Sequence, residues 1–156
     1  MGFWENLKRR LSPPRMLDPD FGPLLFMYIP NAPERSYWEA DDWLFRPTQT
    51  RIGIALPGPK EGPLQEGRQF YLQLVDRFDN IMEHVRPELD RVAREWLGRP
   101  LATDLWADFK LAGFDVEEPS ANLVEWTVSF EATGETWLGV TIPFLDNDVR
   151  PAVVDT

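Results

Sequence analysis

The chain has 156 residues, of which 43% are hydrophobic and 27% charged, so it is long enough and apolar enough to form one ordinary folded domain. It carries 26 acidic and 16 basic side chains, and its net charge of −10 argues against a nucleic-acid partner, whose phosphates would be repelled. Cysteine is absent and there is one histidine, which excludes disulfides, thiolate metal sites, thiol nucleophiles and multi-histidine metal sites. We expect a single domain over 1–156 without a cofactor.

The first fifteen residues form a basic amphipathic segment. It contains four basic side chains and one acidic side chain, Glu5. The basic residues are Lys8, Arg9, Arg10 and Arg15. Four apolar residues recur at helical spacing and predict a short helix over 3–11. They are Phe3, Trp4, Leu7 and Leu11. This segment either docks onto its own domain or makes peripheral contact with anionic lipid.

No transmembrane segment and no secretion signal are expected from the sequence. The longest apolar stretch, 21–29, is interrupted by Gly22 and Pro23 and is far shorter than the roughly 20 residues that a membrane span needs. The N-terminus lacks an apolar core followed by a small-residue cleavage site. We therefore expect a cytoplasmic protein.

Three strands are predicted before the main helix, over 24–29, 36–45 and 49–56. The first is apolar on both faces, whereas the third alternates apolar and small or polar residues. A turn at Asp18 to Asp20 precedes them, and a segment rich in proline and glycine, 57–63, follows them.

One long amphipathic helix is the strongest signal in the chain. Eight apolar residues recur at steps of three and four: Phe70, Leu74, Phe78, Ile81, Val85, Leu89, Val92 and Trp96. Pro87 predicts a kink or a division of this helix, and Gly98 predicts its end.

Period 2 returns after the helix and predicts three more strands, over 109–116, 122–131 and 136–144, the last two forming a hairpin. The tail 145–156 is short and acidic, and 152–154 are expected to add an edge contact. The order β-β-β-α-β-β-β predicts a two-layer α+β domain, an antiparallel sheet with the helix on one face. The helix stripe should pack on eight strand residues: Ile52, Ile54, Val124, Trp126, Val128, Leu138, Val140 and Ile142.

Catalytic and metal sites find little support. Asp76, Asn80 and Glu83 share a helix face, but that face is opposite the apolar stripe and should meet solvent. His84 has no nucleophile or orienting carboxylate beside it in the sequence. The segment 146–148 reads as a turn, because the later glycine and glutamate of a calcium loop are missing. A small hydrolase or transferase using strand-end carboxylates remains as an alternative.

A polar face of the final hairpin is the candidate binding surface. Glu125 and Glu131 alternate with apolar residues on one strand, and Trp137 falls on the face opposite Leu138. We predict partner binding by Glu125, Glu131 and Trp137, with Trp38 as a fourth candidate. The alternative is that another segment, such as the N-terminal helix, covers Trp137.

Several short strand patterns resemble those of a group of uncharacterised bacterial domains. They are Ser36-Tyr37-Trp38-Glu39, Arg51-Ile52-Gly53-Ile54, Trp126 to Glu131 and Ile142-Pro143-Phe144, with the long helix between the second and the third. Similar domains occur among presumed immunity proteins of bacterial toxin systems. The resemblance covers about 22–145 and carries no catalytic residues. Together with the acidity, it implies a non-enzymatic, immunity-type inhibitor of a basic partner protein; a structural or regulatory homodimer is the other alternative.

Overall fold

A computed structural model describes residues 13–116 and 124–156 and shows a mixed α+β fold, as predicted. Within these ranges one long helix stands between two groups of strands. The elements are β1 (Arg15–Asp18), β2 (Gly22–Met27), β3 (Tyr37–Phe45), β4 (Thr50–Pro57), α1 (Gln65–Val92), β5 (Phe109–Val116), β6 (Glu125–Ala132), β7 (Gly139–Leu145), β8 (Asp148–Val149) and β9 (Val153–Asp155). The helix predicted over 3–11 lies outside the described residues.

The strands form two antiparallel sheets, where the sequence predicted one. Sheet A has the order β1-β2-β3-β4, and sheet B has the order β5-β6-β7, with β8 and β9 both pairing with β7. Strands β4 and β5 contact each other but are not paired as one continuous ladder. Alternation of apolar and polar residues along a strand identifies its two faces but not its neighbouring strands. The number of sheets could therefore not be predicted from this pattern.

The strand order also differs from the prediction. Four strands precede the helix, because β1 pairs with β2 in a region expected to hold only a turn. This strand has four residues and includes Arg15 and Asp18, too short and too polar for a clear alternating pattern. After the helix, the expected edge contact of 152–154 is present as β9, which pairs with β7.

Helix α1 buries the predicted stripe along most of its length. Six of the eight predicted residues are at most 4% exposed: Leu74, Phe78, Ile81, Val85, Leu89 and Val92. The helix runs through Pro87 without division. It passes into a π-helical turn, Ala93–Leu97, and ends at Gly98, whose φ of 70° is the left-handed conformation expected of a terminal glycine.

The prediction is wrong at the last residue of the stripe. Trp96 is 50% exposed, because the π-helical turn holds more residues than an α-helical turn and rotates position 96 away from the core. At the other end Phe70 is partly buried and packs as predicted, with its ring 5.6 Å from that of Trp126, while the neighbouring Tyr71 is fully buried.

The helix joins both sheets in one core. The ring of Phe78 lies 5.0 Å from that of Phe45 on β3 and 6.5 Å from that of Phe114 on β5. Seven of the eight predicted strand residues are buried, and Val124 is partly buried against them. No helix of the described residues is long and apolar enough to span a membrane.

Candidate functional site

The structure places the four predicted binding residues in three different surroundings. Trp38 is 2% exposed, and its indole N–H donates a 2.8 Å hydrogen bond to the Pro59 carbonyl oxygen, so it belongs to the core of sheet A. Glu125, Glu131 and Trp137 lie on or beside the outer side of sheet B. Glu125 and Glu131 are six residues apart on β6, about 20 Å along the strand. Only Glu131 and Trp137 are therefore brought together.

The Trp137 ring lies over Gly139, the first residue of β7, which begins two residues later in the chain. If Gly139 carried a Cβ atom, the indole carbons Cη2 and Cζ2 would be only 3.0 and 3.1 Å from it. The ring can lie this close to the backbone because that atom is missing. Even so the indole is 53% exposed, so it presents a large aromatic surface to solvent.

Two carboxylates flank this indole. Gly139 is directly opposite Glu131 on β6 and directly opposite Asp155 on β9. Residues opposite each other in an antiparallel pair point to the same face, so both carboxylates rise on the side that carries the ring. An aromatic ring between two carboxylates is a suitable binding site for a cation, because the face of the ring and the negative charges both attract it.

The next row of side chains extends the surface with neutral groups. Ser129 and Thr141 are opposite each other, with their hydroxyl oxygens 3.3 Å apart, and Val153 on β9 is opposite Thr141 and 55% exposed. We call the set of six residues the Trp137 surface: Ser129, Glu131, Trp137, Thr141, Val153 and Asp155. Sequence reasoning missed Val153 and Asp155 as site residues, although the expected edge contact of 152–154 was the signal that could have included them.

One cation already contacts the Trp137 surface. Lys110 on β5 is opposite Glu131, and its ammonium lies 3.0 Å from the Glu131 carboxylate. The lysine side chain is 62% exposed, and ion pairs of this exposure contribute little to stability, about 0 to 1 kcal/mol. A cation from another molecule could replace it at low cost.

Tyr37 on β3 lies near acidic groups of both sheets. Partial burial raises the pKa of Tyr37 on β3, and the nearby carboxylates Glu39 and Asp115 raise it further. Glu39 belongs to β3 and Asp115 to β5, so carboxylates of both sheets lie near Tyr37.

The helix residues considered for chemistry lie on open surface. His84 is exposed, and its Nδ1 is 2.8 Å from the Asn80 carbonyl oxygen, which can only accept a hydrogen bond. Asp76, Asn80 and Glu83 are exposed as well. Within the described residues there is no group of three or more histidine, aspartate or glutamate side chains that could hold a metal ion.

A cleft of about 870 Å³ lies in sheet A, away from the Trp137 surface. It opens between the β1–β2 turn, strand β3 and the flank of α1 that carries Leu72, Val75 and Asp76. Sequence reasoning gave no indication of it, because it depends on where two paired strands separate.

Comparisons with known proteins identified no relative of this chain. No model of a protein family, no curated protein and no solved structure matches the chain.

Proposed function

We propose that the protein is a non-enzymatic binding domain whose Trp137 surface holds a basic side chain of a partner protein. The observation that carries this proposal is the half-exposed indole of Trp137, fixed over Gly139 between Glu131 and Asp155. A partner arginine or lysine placed on this ring would gain a cation–π contact and two nearby carboxylates. Aromatic anchors in fixed positions are typical binding hot spots.

The charge of the whole chain supports the same kind of partner. A net charge of −10 creates a field that attracts basic proteins and accelerates their association. The proposed biological role is that of an immunity-type inhibitor, which binds a basic toxin domain in the bacterial cytoplasm. Absence of cysteine is consistent with a reducing compartment.

A two-layer arrangement is part of the proposal. The inward residues of β6, Trp126, Val128 and Phe130, are buried in the core that α1 shares, which supports coverage of that face by the helix. The outer face, with Trp137, would then be left for the partner.

The test is a pull-down from the source cell, with the wild type and two groups of variants used in parallel. Trp137→Ala and the double variant Glu131→Lys with Asp155→Lys should each weaken partner binding, the tryptophan change by about 2 kcal/mol, or roughly 30-fold. Trp96→Ala is the matched control, since Trp96 is equally exposed but lies on the helix. Lys110→Ala should strengthen binding, because it removes the cation that occupies Glu131.

Two results would count against the proposal. If a partner binds and none of the Trp137-surface variants changes its affinity, the site is elsewhere. If sedimentation of the protein alone shows a concentration-dependent mass and no second protein is captured, the homodimer alternative is favoured instead. Hydrolase or transferase activity that is lost on substitution of strand-end carboxylates would support the remaining alternative.

A further inference from the structure

The chain that returns along β7 contains one extra residue. Val149 of β8 lies opposite Phe144 of β7. Further along, Val153 of β9 lies opposite Thr141. Between these two pairs the returning chain has three residues, 150–152, whereas β7 has two. This arrangement is a β-bulge, in which one residue has no partner of its own in the strand opposite.

The bulge decides which side chains of β9 belong to the Trp137 surface. Neighbouring residues of a strand point to opposite faces, so a shift by one residue exchanges the two faces. With the bulge, Asp155 lies opposite Gly139 on the outer face. Val154 points inward, opposite the buried Val140. If β9 kept the register of β8, Val154 would lie opposite Gly139 instead, and Asp155 would leave the outer face.

Apolar burial alone does not select the bulged register. That register turns Ala152 and Val154 towards the core, where both are partly buried. Without the bulge, Pro151 and Val153 would face inward instead, and these two side chains carry no less apolar surface. Hydrogen bonds at the bulge therefore contribute to the choice between the two registers.

A helix residue binds the backbone at the bulge. Pro151 has no N–H group, and the N–H of the next residue, Ala152, donates a 2.9 Å hydrogen bond to the Glu88 carboxylate of α1. This carboxylate is itself held from the helix, because Arg91, one turn further on, donates to it at 3.0 Å. The Glu88 side chain is 23% exposed, so most of it is sheltered between α1 and the returning chain.

We propose that Glu88 is a positioning residue of the Trp137 surface, because it accepts the Ala152 N–H and so fixes the bulge and the register of β9. It acts through the backbone and places Val153 and Asp155 on the outer face. The role rests on the proposed function only in that Asp155 belongs to the binding surface. The register of β9 is a property of the folded chain and is measured without a partner, so a failure of the proposed function would leave that measurement unchanged.

Two cysteine pairs in the full chain report the register, since there is no natural cysteine to interfere. Thr141→Cys with Val153→Cys joins positions that are opposite each other in the bulged register. Thr141→Cys with Ala152→Cys joins positions that are opposite each other only after a shift by one residue. Each disulfide needs both cysteines on the same face, so the ratio of their formation constants in glutathione buffer measures the preference for the bulged register.

Variants of Glu88 are then compared by this ratio. Glu88→Ala should lower it at least about tenfold, the effect of one lost hydrogen bond to a charged group. Glu88→Gln keeps an oxygen that can accept the Ala152 N–H, and its ratio should stay within about threefold of the wild type. Asp90→Ala is the matched control, because Asp90 also accepts a backbone N–H, that of Leu101 at 2.9 Å, and pairs with Arg94 on the same helix. It should leave the ratio unchanged.

The indole signal of Trp137 in a nitrogen-15 spectrum gives a second measurement, which needs no cysteine. A Cβ atom on Gly139 would lie 3.0 Å from the Trp137 ring and 3.8 Å from the Asp155 Cβ, so a shift of β9 changes the surroundings of the ring. The signal should move in Glu88→Ala and stay in place in Glu88→Gln. Circular dichroism checks that each variant is folded.

Three results would overturn the role of Glu88. The first is a ratio in Glu88→Ala within about threefold of the wild type. The second is a loss in Glu88→Gln or Asp90→Ala as large as that in Glu88→Ala, since the effect would then not come from the hydrogen bond to Ala152. The third is a Trp137 indole signal that is the same in Glu88→Ala and in the wild type.

Discussion

At the scale of single residues, the Trp137 surface depends on a position without a side chain. Gly139 leaves the space in which the Trp137 ring lies, and the strand conformation there is one that alanine also adopts. The glycine is therefore explained by the close approach of the indole and not by the backbone angle.

Gly139→Ala tests whether the position of the Trp137 indole depends on Gly139, because it keeps the indole and changes only the space in which it lies. A Cβ atom 3.0 Å from Cη2 is too close, and because the ring is half exposed we expect it to move outward. Stability should stay within about 1 kcal/mol of the wild type, since alanine also reduces the freedom of the unfolded chain. In a nitrogen-15 spectrum the Trp137 indole signal, assigned by its loss in Trp137→Phe, should shift more than the other indole signals. An unchanged Trp137 signal would show that the glycine does not position the ring.

A second residue, Asp108, makes stability depend on pH. It is 5% exposed, accepts hydrogen bonds from Arg99 at 2.5 and 2.9 Å and accepts one from the Ala102 N–H at 2.8 Å. The hydrogen bonds from Arg99 lower the pKa of its carboxyl group, more than burial raises it, and the Ala102 N–H lowers it further. A lowered pKa in the folded state means that this stabilisation is complete above the ordinary value near 4 and is lost as the pH falls through the folded value.

Asp108→Asn should therefore cost about 1 to 3 kcal/mol at pH 7 and flatten the decline in stability below about pH 4. Denaturant unfolding at pH 7, 4 and 3 would measure both effects. Asp79→Asn on the exposed helix surface is the control and should change neither. Parallel curves for the wild type and Asp108→Asn would contradict the assignment of the pH dependence to this group.

At the scale of elements, the helix shows how far periodicity reaches. Its apolar stripe identified the buried face over nearly the whole of α1, because 100° per residue holds while the helix is α-helical. It failed at Trp96, which lies inside the π-helical turn Ala93–Leu97, where the rotation per residue differs from that of an α-helix. Nothing in the local sequence distinguishes that turn from a continued α-helix.

Phe78→Ala tests the element that joins the sheets. Phe78 is 4% exposed and its ring contacts Phe45 of β3 and Phe114 of β5, so truncation opens a cavity between the helix and both sheets. We expect a loss of about 3 to 5 kcal/mol in the free energy of unfolding, measured with denaturant. Trp96→Ala should cost less than about 1 kcal/mol, since half of that side chain is in solvent. Equal losses in the two variants would mean that the helix is packed differently.

At the scale of the whole molecule, the sequence predicted the class of the fold and the inward face of its strands but not how they assemble. The faces of β6 follow from alternation, which placed Trp126 inside and Glu131 outside. The pairing of Asp155 beside Trp137 and the separation of β3 from β2 depend on contacts between distant segments. For the candidate site, the sequence pattern proposed the aromatic residue and one carboxylate and also an edge contact at 152–154, but it could not place Asp155 beside Trp137.

Despite the two sheets, we expect the protein to unfold as one unit. The buried residues of sheet A, sheet B and α1 form a single hydrophobic cluster, and Phe45 links β3 directly to Phe114 of β5 at a ring distance of 5.1 Å. Ile54→Val, which removes one methylene group from sheet A, should cost about 0.5 to 1.5 kcal/mol. If the core is shared, slow amide protons of β3 and of β6 should lose protection by the same free energy, because both exchange only through global opening. The matched variant Ile142→Val in sheet B should have the same effect on both strands. Loss of protection confined to the mutated sheet would show two separately unfolding units and would contradict a common core.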